Sequence, residues 1–191
     1  MSHSSVQLAN VAPVTWKNGG GFTRELLAWP GADDWVLRLS VAEVDKSGPF
    51  SIFVGVHRWF GVLTGAGVRL SAGGQINTVT QDGLLFEFDG GVQHDCDLIA
   101  GSTSDFNVMV KANAGPCRVQ RIRGEYLIQS SRRFIAAVYA NCDKTTIRVT
   151  DKNVEPMQLR QGDLYWQIFN AGDSPWQITS TDAICVELAV D

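Results

Sequence analysis

The sequence predicts an all-β protein, a barrel or sandwich of many short strands. Three observations predict it. Apolar residues recur with a period of two, nineteen glycines fall largely in turn-forming clusters between the apolar runs, and one strand-turn-strand pattern occurs twice.

Taken in order, the run Trp35–Val44 alternates cleanly, with Trp35, Leu37, Leu39 and Val41 on one face and Arg38 and Ser40 on the other. Further strands are predicted over 59–64, 67–70, 84–88, 105–111, 134–140, 146–150, 164–169, 176–180 and 183–190. Turn chemistry separates them at Gly65-Ala-Gly67, Ala72-Gly-Gly74, Asp82-Gly83, Asp89-Gly-Gly91, Gly162-Asp163 and Ala171-Gly-Asp173. No amphipathic helix is predicted beyond a short turn around Asn10–Trp16 or Asp45–Phe50. The repeat joins Arg58-Trp-Phe-Gly-Val-Leu-Thr to Arg133-Phe-Ile-Ala-Ala-Val-Tyr at an offset of 75, and the Gly83 turn to the Gly162 turn at 79. Two copies of one barrel pattern explain it, dividing the chain into residues 1–115 and 116–191 within one compact unit.

At 191 residues the chain buries roughly 70% of its unfolded surface, so it needs no staples to fold. A net charge of -4 argues against a nucleic-acid or membrane partner for the chain as a whole. The charge is uneven: residues 111–133 hold six basic residues against Glu125 alone. The favoured expectation is a solvated connector with ion pairs to its neighbours, because no aromatics interleave with Arg118, Arg121 and Arg123 as base stacking requires. Cys96, Cys117, Cys142 and Cys185 form no CxxC pair or Cys/His cluster, and four buried reduced thiols in the cytoplasm are expected. Neither a signal peptide nor a membrane-spanning apolar run is visible.

Metal chemistry in a β-barrel needs converging histidines and a carboxylate. The chain offers His3 in a frayed tail, His57 alone, and His94 beside Asp95 and Asp97, expected to be solvated. No metal site or cofactor is expected, and no P-loop, GxGxxG fingerprint or nucleophile elbow is present. The densest unusual segment is Trp16-Lys-Asn-Gly-Gly-Gly-Phe-Thr-Arg-Glu25. Its glycines either let a ligand approach main-chain N–H groups or simply let the chain turn into a sheet. Thr23 and Glu25 then share one strand face, with Phe22, Arg24 and Leu26 opposite. In the strand at 105–111, Asp105, Asn107 and Met109 oppose Phe106, Val108 and Val110. In a closed barrel such polar faces can line a lumen, where an arginine can hold a carboxylate.

The segment Trp16-Lys-Asn-Gly-Gly-Gly-x-Thr-x-Glu25 resembles the opening motif of the HutD/Ves family. So does the order that follows: Trp35-x-x-Arg-x-Ser-x-Ala-x-Val44, Gly48-Pro-Phe-Ser51, Gly55-x-x-Arg58, Leu63-x-Gly-x-Gly67, Phe88-Asp-Gly90 and Asp105-Phe-Asn-x-Met109. These matches span residues 13–111; beyond 115 the likeness is one of architecture. The resemblance implies two cupin-like barrels, a bicupin of the RmlC-like jelly-roll kind, without the cupin metal. It also implies a modulator of histidine utilisation that binds a small carboxylate such as urocanate or N-formylglutamate; in Ves-type members the link is to environmental stress.

Carried onto this sequence, the resemblance makes Asn18, Thr23, Glu25, Arg38, Ser40, Asp105 and Asn107 pocket candidates, with Ser51 and Arg58 added and Phe50 either a core anchor or a pocket wall. The leading expectation is a metabolite binder with Arg38 as anion anchor, oriented by Asn18, Ser40 and Asn107, with no catalytic residue. One alternative is a metal-independent enzyme using Glu25 or Asp105 as general base. Another is an interaction protein, a homodimer included, built on exposed sheet edges and Trp166 or Trp176.

Overall fold

Period-two alternation places apolar and polar side chains on opposite faces of each strand, so strands must pair and stack to hide the apolar faces. The computed structural model describes residues 3–129 and 131–190, with side chains from Ser4 onward. They fall into two compact units, residues 11–113 and residues 3–10 with 114–190.

In the first unit, β2 (Val14–Thr15), β3 (Gly21–Trp29), β4 (Leu37–Val44), β6 (Val56–Thr64), β9 (Phe86–Asp89) and β11 (Thr103–Lys111) form a six-stranded sheet in the order β2-β3-β4-β11-β6-β9. A four-stranded sheet runs β5-β10-β7-β8, from β5 (Gly48–Pro49), β7 (Val68–Ala72), β8 (Gln75–Val79) and β10 (Asp95–Leu98). All pairings are antiparallel. Phe60, Val62 and Phe88 of the larger sheet pack with Val68, Leu70, Val79 and Cys96 of the smaller in one buried cluster. Each large apolar side chain buried this way contributes about 1.5–3 kcal/mol. The turn into β7 depends on glycine: Gly67 has φ +99°, and a Cβ there would lie 2.3 Å from the Val79 carbonyl oxygen.

The second unit is one seven-stranded antiparallel sheet. Its order is β1-β16-β13-β17-β14-β15, with β12 also paired to β17. Its strands are β1 (His3–Gln7), β12 (Cys117–Ile128), β13 (Phe134–Ala140), β14 (Thr145–Val149), β15 (Met157–Leu159), β16 (Asp163–Phe169) and β17 (Trp176–Ala189). Phe134, Ala136, Val138, Phe169, Trp176 and Ile178 sit in its apolar cluster.

Several expectations are corrected here. The basic segment is not a loose connector: most of it is the long strand β12, though its ion pairing is as expected, with Arg121 held by Asp182. β17 is continuous where two strands were predicted. Residues 3–7 pair with β16 and so belong to the second unit, which places the backbone of His3 in a strand instead of a frayed tail; its side chain lies outside the described residues. Among the described residues the one helical turn, a 3-10 turn, is Leu8–Asn10, and 45–50 holds none. No helix among the described residues is long and apolar enough to cross a membrane.

Candidate functional site

Five strands of the six-stranded sheet, β2, β3, β4, β6 and β11, turn polar positions into a cavity of about 900 Å³ within residues 11–113. Register brings those positions side by side. Glu25 faces Ser40, Ser40 faces Asn107 and Asn107 faces Phe60; in the next row, Arg38 faces Met109 and Met109 faces Arg58. A β-bulge between Glu25 and Leu27 keeps Glu25 inward and pairs Leu27 with Leu39 on the other face, so the alternation breaks at Leu27, and Leu26 and Leu27 are both buried. On β4, Leu37, Leu39 and Val41 point the other way and are at most 1% exposed. The segments Trp16–Asn18 and Pro49–Phe53 complete the wall.

Of the nine residues singled out in the sequence, Asn18, Thr23, Glu25, Arg38, Ser40, Ser51, Arg58 and Asn107 line this cavity. Asp105 does not. It lies one row further along β11, between Ala42 and Val62, with no exposed surface. Its Oδ2 accepts from the Thr103 hydroxyl at 2.8 Å, while Oδ1 has no partner among the described residues. Burial pushes its carboxyl up to about 7, against the pull of the Thr103 bond.

The two arginines differ in a way the sequence hides. Arg38 donates from Nε to Glu25 Oε2 at 2.5 Å, an ion pair open to the cavity. Arg58 is only 7% exposed and forms no ion pair among the described residues. Its Nη1 donates to the Ser51 carbonyl at 3.3 Å and its Nη2 to Asn107 Oδ1 at 3.1 Å, while Nε has no partner among the described residues. The rings of Phe50, Phe53 and Phe88 lie 4.9–5.4 Å from its guanidinium carbon. Burial, and then repulsion from Arg38, lower its pKa to about 10, so it stays charged at neutral pH. A desolvated cation met only by neutral acceptors and ring faces is costly until an anion joins it. Of the two, Arg38 is paired with Glu25, and Arg58 has no acidic partner among the described residues.

The remaining candidates support the walls. Trp16 Nε1 donates to the Thr23 hydroxyl at 2.8 Å, and Asn18 Oδ1 accepts from the Gly20 amide at 3.0 Å. Only Gly19 of the three glycines has a left-handed backbone, and a Cβ at Gly21 would strike the Glu43 carbonyl. The glycines thus serve the turn and sheet entry. Phe50 is both cavity wall and neighbour of the core cluster. Sequence reasoning missed Trp16, Phe53 and Phe88; Trp16 and Phe88 stand within quoted motifs, which was the available signal, whereas Phe53 lies between two of them.

His94 is buried, not solvated: its ring packs 4.5 Å from Phe88, and Nδ1 lies 3.0 Å from the Val92 carbonyl. His57 sits 2.7 Å from Glu87. Among the described residues no three His, Cys, Asp or Glu side chains are grouped to hold a metal ion. Trp176 is 2% exposed on a strand flanked by others, so it offers no dimer surface. Cys96 and Cys185 are buried as expected, but Cys117 and Cys142 are only partly so. Cys142 is unusual. Against a rise from burial, hydrogen bonds from Thr181, Ser180, Thr145 and the Lys144 amide bring its thiol down to about 6.

The HutD family model matches residues 8–186. The chain belongs to the HutD family. An uncharacterised 21.2 kDa protein in the hutC 3' region of Pseudomonas putida is 33% identical over 146 residues, 75% of this chain and 76% of that one. The Ves protein of Cronobacter sakazakii is 33% identical over 106 residues, 55% of this chain and 58% of that protein, which places this HutD-family member within the wider HutD/Ves grouping. The structure of HutD from Pseudomonas fluorescens SBW25 (formate condition) superposes with a TM-score of 0.86 at 27% identity, covering 98% of each chain. Salicylate 1,2-dioxygenase from Pseudoaminobacter salicylatoxidans, 8% identical with a TM-score of 0.62 over 98% of this chain and 81% of that one, shares the fold alone. The HutD-family chain thus has an all-β, cupin-type fold.

Proposed function

We propose that this protein binds a small carboxylate metabolite in the cavity of residues 11–113 and, through that binding, modulates histidine utilisation. The observation that carries the reading is Arg58: a buried cation on the cavity wall with an unused Nε–H and no acidic partner among the described residues. A carboxylate in the cavity would replace neutral acceptors with a charge-assisted bond, the stronger kind. Ser40 and Asn107 orient it, and the Glu25–Arg38 pair meets its remaining polar groups. No metal takes part in this reading. The link to histidine utilisation rests on the Pseudomonas putida relative from the hutC region and on HutD itself. In the same reading each compact unit is one cupin-like barrel, making a bicupin that works in the cytoplasm.

Titration calorimetry with urocanate, N-formylglutamate and formate tests the proposal. Binding that is lost in Arg58→Gln supports it. Absence of heat with all three, in protein shown to be folded, overturns it.

A further inference from the structure

Beside the cavity lies a smaller cleft of about 250 Å³ that shares the lining residues Trp16, Asn18, Val44, Pro49 and Phe50 with it, so the two adjoin. Their charge is one-sided. Lys17, Arg38 and Arg58 line the cavity and Lys46 lines the cleft, whereas Glu25, the single carboxylate among these lining residues, is already taken by Arg38. A protein of net charge -4 has gathered cations along this one concave path. Lys17 and Lys46 are exposed, and neither forms an ion pair among the described residues. The walls shared by cavity and cleft are Trp16, Val44, Pro49 and Phe50, with Asn18 the one polar side chain among them. A monocarboxylate would meet Arg58 and leave the outer cations and the apolar stretch unused.

We infer that the ligand class is a dicarboxylate with an apolar spacer, one carboxylate on Arg58 and the other between Lys17 and Lys46. This rests on the carboxylate-binding reading above and adds a second, outer subsite to it. The two ends contribute differently. Arg58 is desolvated, so its attraction resists salt; the lysines sit in water, where each exposed pair contributes a few-fold and is screened. Their combined effect is expected to be a preference of about tenfold for a diacid of matched length over its monoacid.

The test is calorimetry of the full chain with α,ω-dicarboxylates from malonate to sebacate and with the n-alkyl monocarboxylates of equal length. One diacid length should stand about tenfold above its monoacid, and this ratio should fall to about one in K17Q/K46Q or in high sodium chloride. Equal affinities at every length, or a ratio that survives K17Q/K46Q, overturn the second subsite while leaving the Arg58 reading intact. Binding of neither series, or unchanged binding in R58Q, overturns both.

Discussion

Arg58 donates from Nη2 to Asn107 Oδ1 at 3.1 Å, so a buried cation is oriented by a neutral amide where an acid would be expected. Asn107 leaves the positive charge uncompensated while fixing the plane of the guanidinium. Arg58→Gln is expected to weaken binding of a small carboxylate by roughly ten- to a hundredfold, the scale of a hydrogen bond to a charged group. Arg38→Gln should cost less, since Arg38 is already engaged with Glu25. Titration calorimetry on the two variants gives the order directly, and the reverse order would restore Arg38 as anchor. Arg58→Met should leave the melting temperature near that of the wild type, because removing an unpaired buried charge offsets the bonds lost.

Asp105 adds a pH dependence to stability. Its carboxyl ordinarily titrates at 3.8 and in the fold at about 7, so between these values the folded state binds the extra proton. Stability from this group is full below 3.8, declines as pH rises to about 7, and is flat above. The span corresponds to roughly 4 kcal/mol. Urea unfolding at pH 4.5 and 7.5 should show the wild type losing stability relative to Asp105→Asn across that interval. Parallel curves for the two proteins would mean that Asp105 titrates normally.

Asp182 shows the opposite behaviour. It accepts from Arg121 Nε and Nη2, both at 2.6 Å, and from Asn141 Nδ2 at 2.7 Å. Burial raises its pKa, but these bonds and the nearby Arg121 and Arg123 charges outweigh it and hold the carboxyl below its ordinary value. Its contribution is therefore present above 3.8 and lost as pH falls further. Asp182→Ala takes the carboxylate from an arginine whose side chain is only 3% exposed, and should cost about 3–5 kcal/mol in denaturant unfolding at pH 7. A loss below 1 kcal/mol would show that the arginine finds water instead.

The balance between these effects explains what was legible in the sequence. β4, β6, β11 and β13 were readable because one of their faces is continuously apolar, and that face dictates the strand. β8, β10 and β12 were not. Gln75–Val79 is short and largely exposed, Asp95–Leu98 carries acids around a single buried cysteine, and Cys117–Ile128 is an edge strand with arginines on it. In such strands pairing with a neighbour supplies what their own side chains lack. The cavity was legible for a related reason: Glu25, Arg38, Ser40 and Asn107 are polar positions opposite apolar ones on neighbouring strands. The roles within it were not, because whether Arg38 or Arg58 keeps an acidic partner depends on a contact across 13 residues and on three aromatic rings. Asp105 follows the same alternation as Asn107, yet lies one row beyond the cavity and fully buried.

Cys142 separates local chemistry from burial most sharply. Its thiol lies 3.1 Å from the Thr181 hydroxyl, 3.5 Å from that of Ser180 and 3.6 Å from that of Thr145, and it titrates at about 6. Burial drives Cys96 up to about 12 and Cys185 well above the usual thiol range. The thiolate is the nucleophile, so native protein treated with iodoacetamide at pH 7 should be alkylated at Cys142 while Cys96 and Cys185 stay unmodified. The rate at Cys142 should follow a titration with a midpoint near 6, and Thr181→Val, which removes the shortest of these bonds, should move that midpoint upward. Mass spectrometry of the alkylated peptides across pH 5 to 9 reads both; a midpoint near the ordinary thiol value in the wild type would mean that the hydroxyls do not stabilise the anion.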